Sequence, residues 1–242
     1  MTYLCAAQPV GSDGQARWVR RKEARPGEIL DAALALFVDK GFAATKMEDI
    51  ARKAGVTKGT PYLYFPNKEE IFKAVVREAM LPNLEHAEQL LRNHDGRAFV
   101  LIEQVLGAWW ERVSLTQLCG ICKLVIAEAG NFPELAQFFY QEVVERGQKL
   151  IEDAIRRGVD SGEFRRLDVN NTMRVLFAPA LMSMIWEHSL GKYEQQPLDK
   201  ARFFACYLDF LRHGLLADSG RPDPQAPVNN NPNNDDQEKH HA

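Results

Sequence analysis

Residues 45–68, TKMEDIARKAGVTKGTPYLYFPNK, decide the fold. Thr45 and Glu48 stand at capping-box spacing, where a hydroxyl and a carboxylate can satisfy free N–H groups at the start of a helix. Ile50 and Ala54 continue one apolar side, and Gly55 supplies the residue type that a sharp turn requires. Thr57 then stands where a second, short helix would be capped. Helix, glycine turn and short helix make a helix-turn-helix, with Ile50 and Val56 locking the angle between the two helices. Such a unit presents its second helix end-on to a major groove. That helix carries Lys58, Thr60, Tyr62 and Tyr64 toward one side, and Gly59 permits close approach of backbone to DNA. Hydroxyls and lysines suit phosphate oxygens, and Lys58 is also suited to donate to a guanine. Lys68 adds charge to a helix N-terminus already suited to phosphate. Pro61 falls early enough in its helix to cost little, and Phe65 reads as core.

Working outward, Ile29, Leu30, Ala33, Leu34 and Phe37 recur at spacings of three and four, and Gly41 follows as a C-terminal cap. After Pro66, Asn67 is placed to cap a long helix reaching residue 93. Further helical patterns cover 97–113, 116–129, 133–160, 168–190 and 198–217, broken at 130–131, 161–162 and 191–197. No alternating strand pattern interrupts them. The expectation is an all-α chain of about nine helices: a flexible basic arm at 1–24, a DNA-binding unit at 25–70, a ligand-binding and dimerisation unit at 71–217, and a disordered Pro/Asn/Asp-rich tail at 218–242.

Composition narrows the class. The 242 residues are 45% hydrophobic and 26% charged, as in globular proteins. No run approaches the ~18 apolar residues of a membrane span, and residues 1–10 lack a secretory pattern, so a cytoplasmic location with no membrane partner is expected. The net charge is −3, yet residues 17–80 hold 13 Lys/Arg against 9 Asp/Glu, a basic head on an acidic body. Cys5, Cys119, Cys122 and Cys206 do not make a disulfide framework. Cys119-Gly-Ile-Cys122 has a spacing seen in zinc and redox sites, but no second Cys pair or His cluster lies nearby in sequence, which favours small buried thiols. His86, His94, His188 and His213 are scattered. With no nucleophile motif, phosphate loop or metal-spaced set, neither an enzyme nor a cofactor or metal is expected.

The span 26–76 resembles the DNA-binding domain of TetR/AcrR regulators, through ILDAALALFVDKGFAAT and IARKAGVTKGTPYLYFPNKEEIF. The resemblance implies that Lys58, Gly59, Thr60, Tyr62, Tyr64 and Lys68 occupy DNA-contacting positions, with Thr45 and Lys46 at the phosphate-contacting start of the supporting helix. Pro61 departs from the pattern, taking a place often held by Leu. KLVIAEAGNFPELAQFFYQEVV, at 123–144, is similar to the C-terminal domain of the AefR-like subgroup. That implies a homodimer joined through the last two helices and a cavity among the middle ones.

The residues permit this picture independently. The segment 168–190 (Val175, Leu176, Phe177, Met182, Met184, Ile185, Trp186) and the segment 198–217 (Phe203, Phe204, Tyr207, Leu208, Phe210, Leu211) are apolar on more than one side, which calls for a second partner. Trp109, Trp110, Phe138, Phe139 and His188 are the candidate ligand contacts, with a bulky apolar or aromatic effector favoured. The expected function is a repressor released from palindromic or near-palindromic operator DNA by a small molecule, with half-sites about 34–36 Å apart. A ligand-free architectural protein is the alternative, and a cavity of several hundred Å³ would speak against it.

Overall fold

The computed structural model describes residues 14–217, with side chains from residue 26 onward. The arm at 1–13 and the tail at 218–242 lie outside the described residues. Helix α1 runs Gly14–Lys40. It begins ahead of the expected boundary because 15–25 is mostly Ala, Arg, Lys, Glu and Gln, strong helix formers, and holds no Gly or Pro. Ile29, Ala33 and Phe37 turn inward, and α1 ends where Gly41, at φ +88°, donates its N–H to Phe37 O at 3.0 Å.

Helix α2 (Met47–Lys53) starts one residue later than the capping box predicts. Lys46 is its N-cap and offers no side-chain bond. Thr45 is 1% exposed, and its hydroxyl donates back to Gly41 O at 2.8 Å. Glu48 is drawn outward to Lys58 at 2.7 Å. Both groups of the box thus have better partners elsewhere. The expected helix after Gly55 is a single 3₁₀ turn, Pro61–Leu63, confined between Gly59 and Pro66.

Asn67 caps α3 (Lys68–Ala79) as expected, accepting from Glu70 N at 2.9 Å. The long helix predicted to residue 93 is instead two. Helix α4 (Leu81–Asn93) begins after a break at Met80, because Pro82 has no N–H to continue the ladder. The Asn83 side chain donates to Ala79 O at 2.8 Å and covers a carbonyl left open there.

Helix α5 (Ala98–Trp109) runs into a π turn, Trp110–Ser114, and α6 is Cys119–Glu128. Helix α7 (Pro133–Phe139) passes through a second π turn, Tyr140–Val144, into α8 (Glu145–Asp160). Helices α9 (Val169–Glu187) and α10 (Lys200–Leu215) are capped by Asp168 and Asp199, whose carboxylates accept from Asn171 N and Arg202 N at 3.0 Å. Because α7 and α8 are continuous, the ten α-helices of the described residues form about nine rods. The only β feature among the described residues is an isolated bridge, Phe164–Leu216.

Two cores hold these rods. In the first, the rings of Phe37, Phe42 and Phe72 lie with centroids 5.2–6.1 Å apart. Phe132, between α6 and α7, meets Phe42 edge-on at 4.8 Å, so the head and the body share this core. The second joins α5, α8 and α9 through Leu101, Ile102, Ile151, Ile155 and Leu176. Glu163 supplies the start of α5 with the anion its own sequence lacks, accepting from Ala98 N at 2.7 Å and Phe99 N at 3.2 Å.

Candidate DNA-reading head and ligand cavity

The turn at Gly55 sets the direction of the reading element. Gly55 sits at φ +67°, where a side chain would be strained, and Val56 N donates to Ala51 O at 3.0 Å. The chain then closes on itself: Thr60 N donates to Thr57 O at 2.9 Å, and the two hydroxyls meet at 2.8 Å. This turns Thr60 inward, to 7% exposure, and buries Pro61 beneath the tip. Lys46, Lys58, Gly59, Tyr62 and Leu63 are left on the outside. Tyr62 is 52% exposed and Leu63, a tip residue absent from the expected set, is 80% exposed. In a 3₁₀ turn, successive residues fan out more widely than in an α-helix, which is why Leu63 shares the outer face.

The other expected contacts serve the scaffold. Thr45 is buried, and Tyr64 is half-buried against the first core. Lys68 turns its ammonium back onto the loop after α1, donating to Phe42 O at 2.9 Å and Ala43 O at 3.2 Å and lying 4.4 Å from the Phe42 ring centre. It ties down carbonyls of the loop between α1 and α2. Lys58 is exposed but tethered: its bond and ion pair with Glu48 raise the Lys58 pKa and lower that of Glu48. A phosphate would compete with Glu48 for this ammonium.

A cavity of about 510 Å³ opens among α4, α5, α6, α8 and α9. This is within the range of small-molecule sites, and its lining is mostly apolar. Trp109 and Phe139 line it; Trp110, Phe138 and His188 do not. Trp110 stacks instead on Phe204 at 4.9 Å and Phe203 at 5.8 Å, joining the first π turn to α10. Phe138 faces Arg77, whose guanidinium lies 5.0 Å from the ring centre. His188 Nε2 lies 2.8 Å from Cys119 Sγ. Adjacent helical residues point about 100° apart, so Trp109 and Trp110 face different neighbours, as do Phe138 and Phe139.

The lining also includes Phe177, Tyr140, Gln148, Cys122 and Arg174, and Arg174 is the only charged residue among those that line it. Burial, and then the neighbouring Cys119, push the Cys122 thiol up to about 12. Cys122 is therefore expected to stay a thiol and react slowly, while exposed Cys206 is alkylated first. Peptide mapping after brief iodoacetamide treatment checks this, and equal labelling of the two would refute it.

Helix α6 lies between cavity and head. Cys122, Val125 and Ile126 line the cavity. Gly120 presses on Val38 of α1 so closely that a Cβ there would come within 2.5 Å of a Val38 methyl. At its end, Glu128 Oε1 accepts from Ala43 N at 3.1 Å. A change in the cavity therefore has a short mechanical path to the reading head.

Among the described residues no helix is long and apolar enough to cross a membrane. The family model for bacterial regulatory proteins of the tetR family matches residues 29–75, and that for the C-terminal domain of AefR-like transcriptional repressors matches residues 103–202. The HTH-type transcriptional repressor KstR2 of Mycolicibacterium smegmatis is 27% identical over 199 residues, covering 81% of this chain and 93% of its own. SmeT, the repressor of the Stenotrophomonas maltophilia multidrug efflux pump SmeDEF, superposes with a TM-score of 0.61 at 26% identity, covering 84% of this chain and 95% of its own. FadR of Bacillus subtilis, solved in complex with stearoyl-CoA, shares the fold with a TM-score of 0.65 at 23% identity, over 78% of this chain and 98% of its own. Two matched domains spanning more than half the sequence, on a helix-turn-helix head fused to a hollow helical body, place the chain in the TetR family of bacterial transcriptional regulators, with an AefR-like repressor C-terminal domain.

Proposed function

We propose that the chain is a cytoplasmic homodimeric repressor that holds palindromic operator DNA with two heads and releases it when an apolar effector with an anionic group enters the body. The observation that carries this reading is the cavity of about 510 Å³, built from the same helix, α6, that buttresses the head. A ligand-free architectural protein has no use for such a void, and the apolar contacts it forgoes weaken the fold. The mostly hydrocarbon lining suits an acyl chain or fused rings, and Arg174 suits a carboxylate, or a phosphate of an acyl thioester's carrier, at one end. The stearoyl-CoA bound by FadR of Bacillus subtilis has this chemistry and supports the choice.

Lys46, Lys58, Gly59, Tyr62 and Leu63 form the DNA face in this reading. Thr45, Thr60, Tyr64 and Lys68 act behind it, fixing its shape. Effector binding shifts the population toward a head spacing that no longer fits two half-sites, and it does so only by as much as it favours that state. Operator affinity falls as salt rises, because phosphate contacts release counterions.

Tyr62→Ala is expected to weaken operator binding about tenfold, equivalent to roughly 1.4 kcal/mol. Tyr62 is exposed, so the dimer and the thermal midpoint should stay as in wild type. Electrophoretic mobility shifts and a melting curve check this; unchanged affinity would remove Tyr62 from the DNA face.

The decisive experiment fills the cavity. Gly147 lines it, and a Cβ added there meets nothing closer than Leu84 Cδ2 at 3.8 Å. Gly147→Phe should therefore place a ring in the void and leave the fold intact. Wild type should release operator DNA on addition of a long-chain acyl thioester or carboxylate. Gly147→Phe should still bind operator DNA, with its response reduced at least tenfold. Release of both proteins at the same concentration would show that the effector acts elsewhere.

A further inference from the structure

A buried thiol, an imidazole and a carboxylate meet where the start of α6 faces the end of α9. Cys119 is the first residue of α6 and is 3% exposed. Glu187 closes α9, and His188 is its C-cap. His188 Nε2 lies 2.8 Å from Cys119 Sγ, and one donor atom from each of the three residues lies within 4.8 Å of the others. None of the three lines the cavity. Sequence spacing hid the set, because Cys119 and His188 are 69 residues apart and belong to different helices.

We propose that Cys119, Glu187 and His188 form a binding site for a zinc-class divalent cation, with water as the fourth ligand. The donor set decides the metal class. One sulfur, one nitrogen and one oxygen suit a borderline ion that takes four ligands in a tetrahedron, and three protein ligands are the number found where one position stays open. Calcium and magnesium need six or more oxygens, which this site does not offer. Zinc bonds of about 2.0–2.3 Å put tetrahedral donors under ~4 Å apart. The Cys119–His188 pair, at 2.8 Å, lies inside that limit and has to open slightly to admit the ion, and Glu187, which is exposed, has room to turn inward.

The end of α9 favours the same assignment, because its C-terminus stabilises a cation beside Glu187 and His188. A cation already stands at this position: Lys200 Nζ lies 2.7 Å from Glu187 Oε2. On binding, the Cys119 Sγ–H proton, which now points to Thr116 O at 2.8 Å, passes to solvent, and the sulfur bonds the metal. The ion takes Glu187 from Lys200. Lys200 is the first residue of α10, so metal binding loosens one tie between α9 and α10.

Cobalt titration of the full-length reduced chain tests this. Cobalt(II) should give a stoichiometric thiolate-to-metal charge-transfer band in the near ultraviolet, bleached by added zinc. Cys119→Ser should abolish the band. His188→Gln should weaken binding at least tenfold, whereas Cys122→Ser and Cys206→Ser should keep the wild-type band. Circular dichroism reports whether each variant folds, and His188→Gln alone decides the matter should Cys119→Ser not fold. A band unchanged in the folded variants, or no band in the reduced wild type, overturns the site. Operator binding without metal is read separately by mobility shift and does not depend on the result.

Discussion

Phe42→Ala should destabilise the protein by about 3–5 kcal/mol, the cost of truncating a buried phenylalanine to alanine. Phe42 is 1% exposed and touches three other rings, Phe37, Phe72 and Phe132. The first two belong to α1 and α3, whereas Phe132 precedes α7. The truncation therefore opens a void where head and body join, and it also removes the ring beneath the Lys68 ammonium. Backbone relaxation is restricted, because Lys68 and Glu128 pin Phe42 O and Ala43 N from two sides. For a chain of this size the thermal midpoint should fall by roughly 10 °C. Phe138→Ala is the contrasting control: its ring lies half-buried against Arg77 and should cost far less. Differential scanning calorimetry checks both, and equal shifts would deny Phe42 its place at the junction. The loss should also blunt effector release in any Phe42→Ala that stays folded, because the cavity would no longer drive the head through this contact.

The same junction shows which features were legible in the sequence. Gly41, Gly55 and Asn67 act through their own backbone or an amide three residues on, and local chemistry of that kind survives in any tertiary setting. The all-α class followed from apolar spacing for the same reason. Thr45 and Glu48 met a local pattern too, but each found a partner outside the box, Gly41 O and Lys58, and the box came apart. Pro82 was overlooked because the apolar period runs on through it, although its missing N–H breaks the helix. At the cavity, the sequence supplied aromatics without directions. Trp109 and Trp110 are chemically identical neighbours, yet one lines the void and the other stacks on α10. Arg174 carried no signal in the sequence that set it apart, and only the packing of α8 against α9 brings it to the cavity wall.

A double variant, Val175→Asp with Phe210→Asp, is expected to yield a monomer and to weaken operator binding at least ~10²-fold. In the single chain Val175 is 71% exposed and Phe210 75% exposed. They do not stand alone. Val175, Met182 and Trp186 are spaced seven and four apart, so one stripe of α9 is apolar and uncovered, and Leu190, Tyr193 and Leu198 extend it toward α10. A contiguous apolar surface of this kind marks an interaction site, and a self-complementary patch closes a two-fold dimer. Both positions are open in the monomer, so the substitutions should cost the isolated fold little. Within a dimer they would place unpaired carboxylates in an apolar interface, where desolvation is severe. Affinity then falls because the second head no longer benefits from the first. Tethering two binding units typically contributes 10²–10⁴-fold, and a lone head gives that up. Sedimentation velocity and mobility shift together decide the matter. A folded variant that sediments as a dimer would move the interface off this face. A monomer that still binds operator at wild-type affinity would mean that one head suffices.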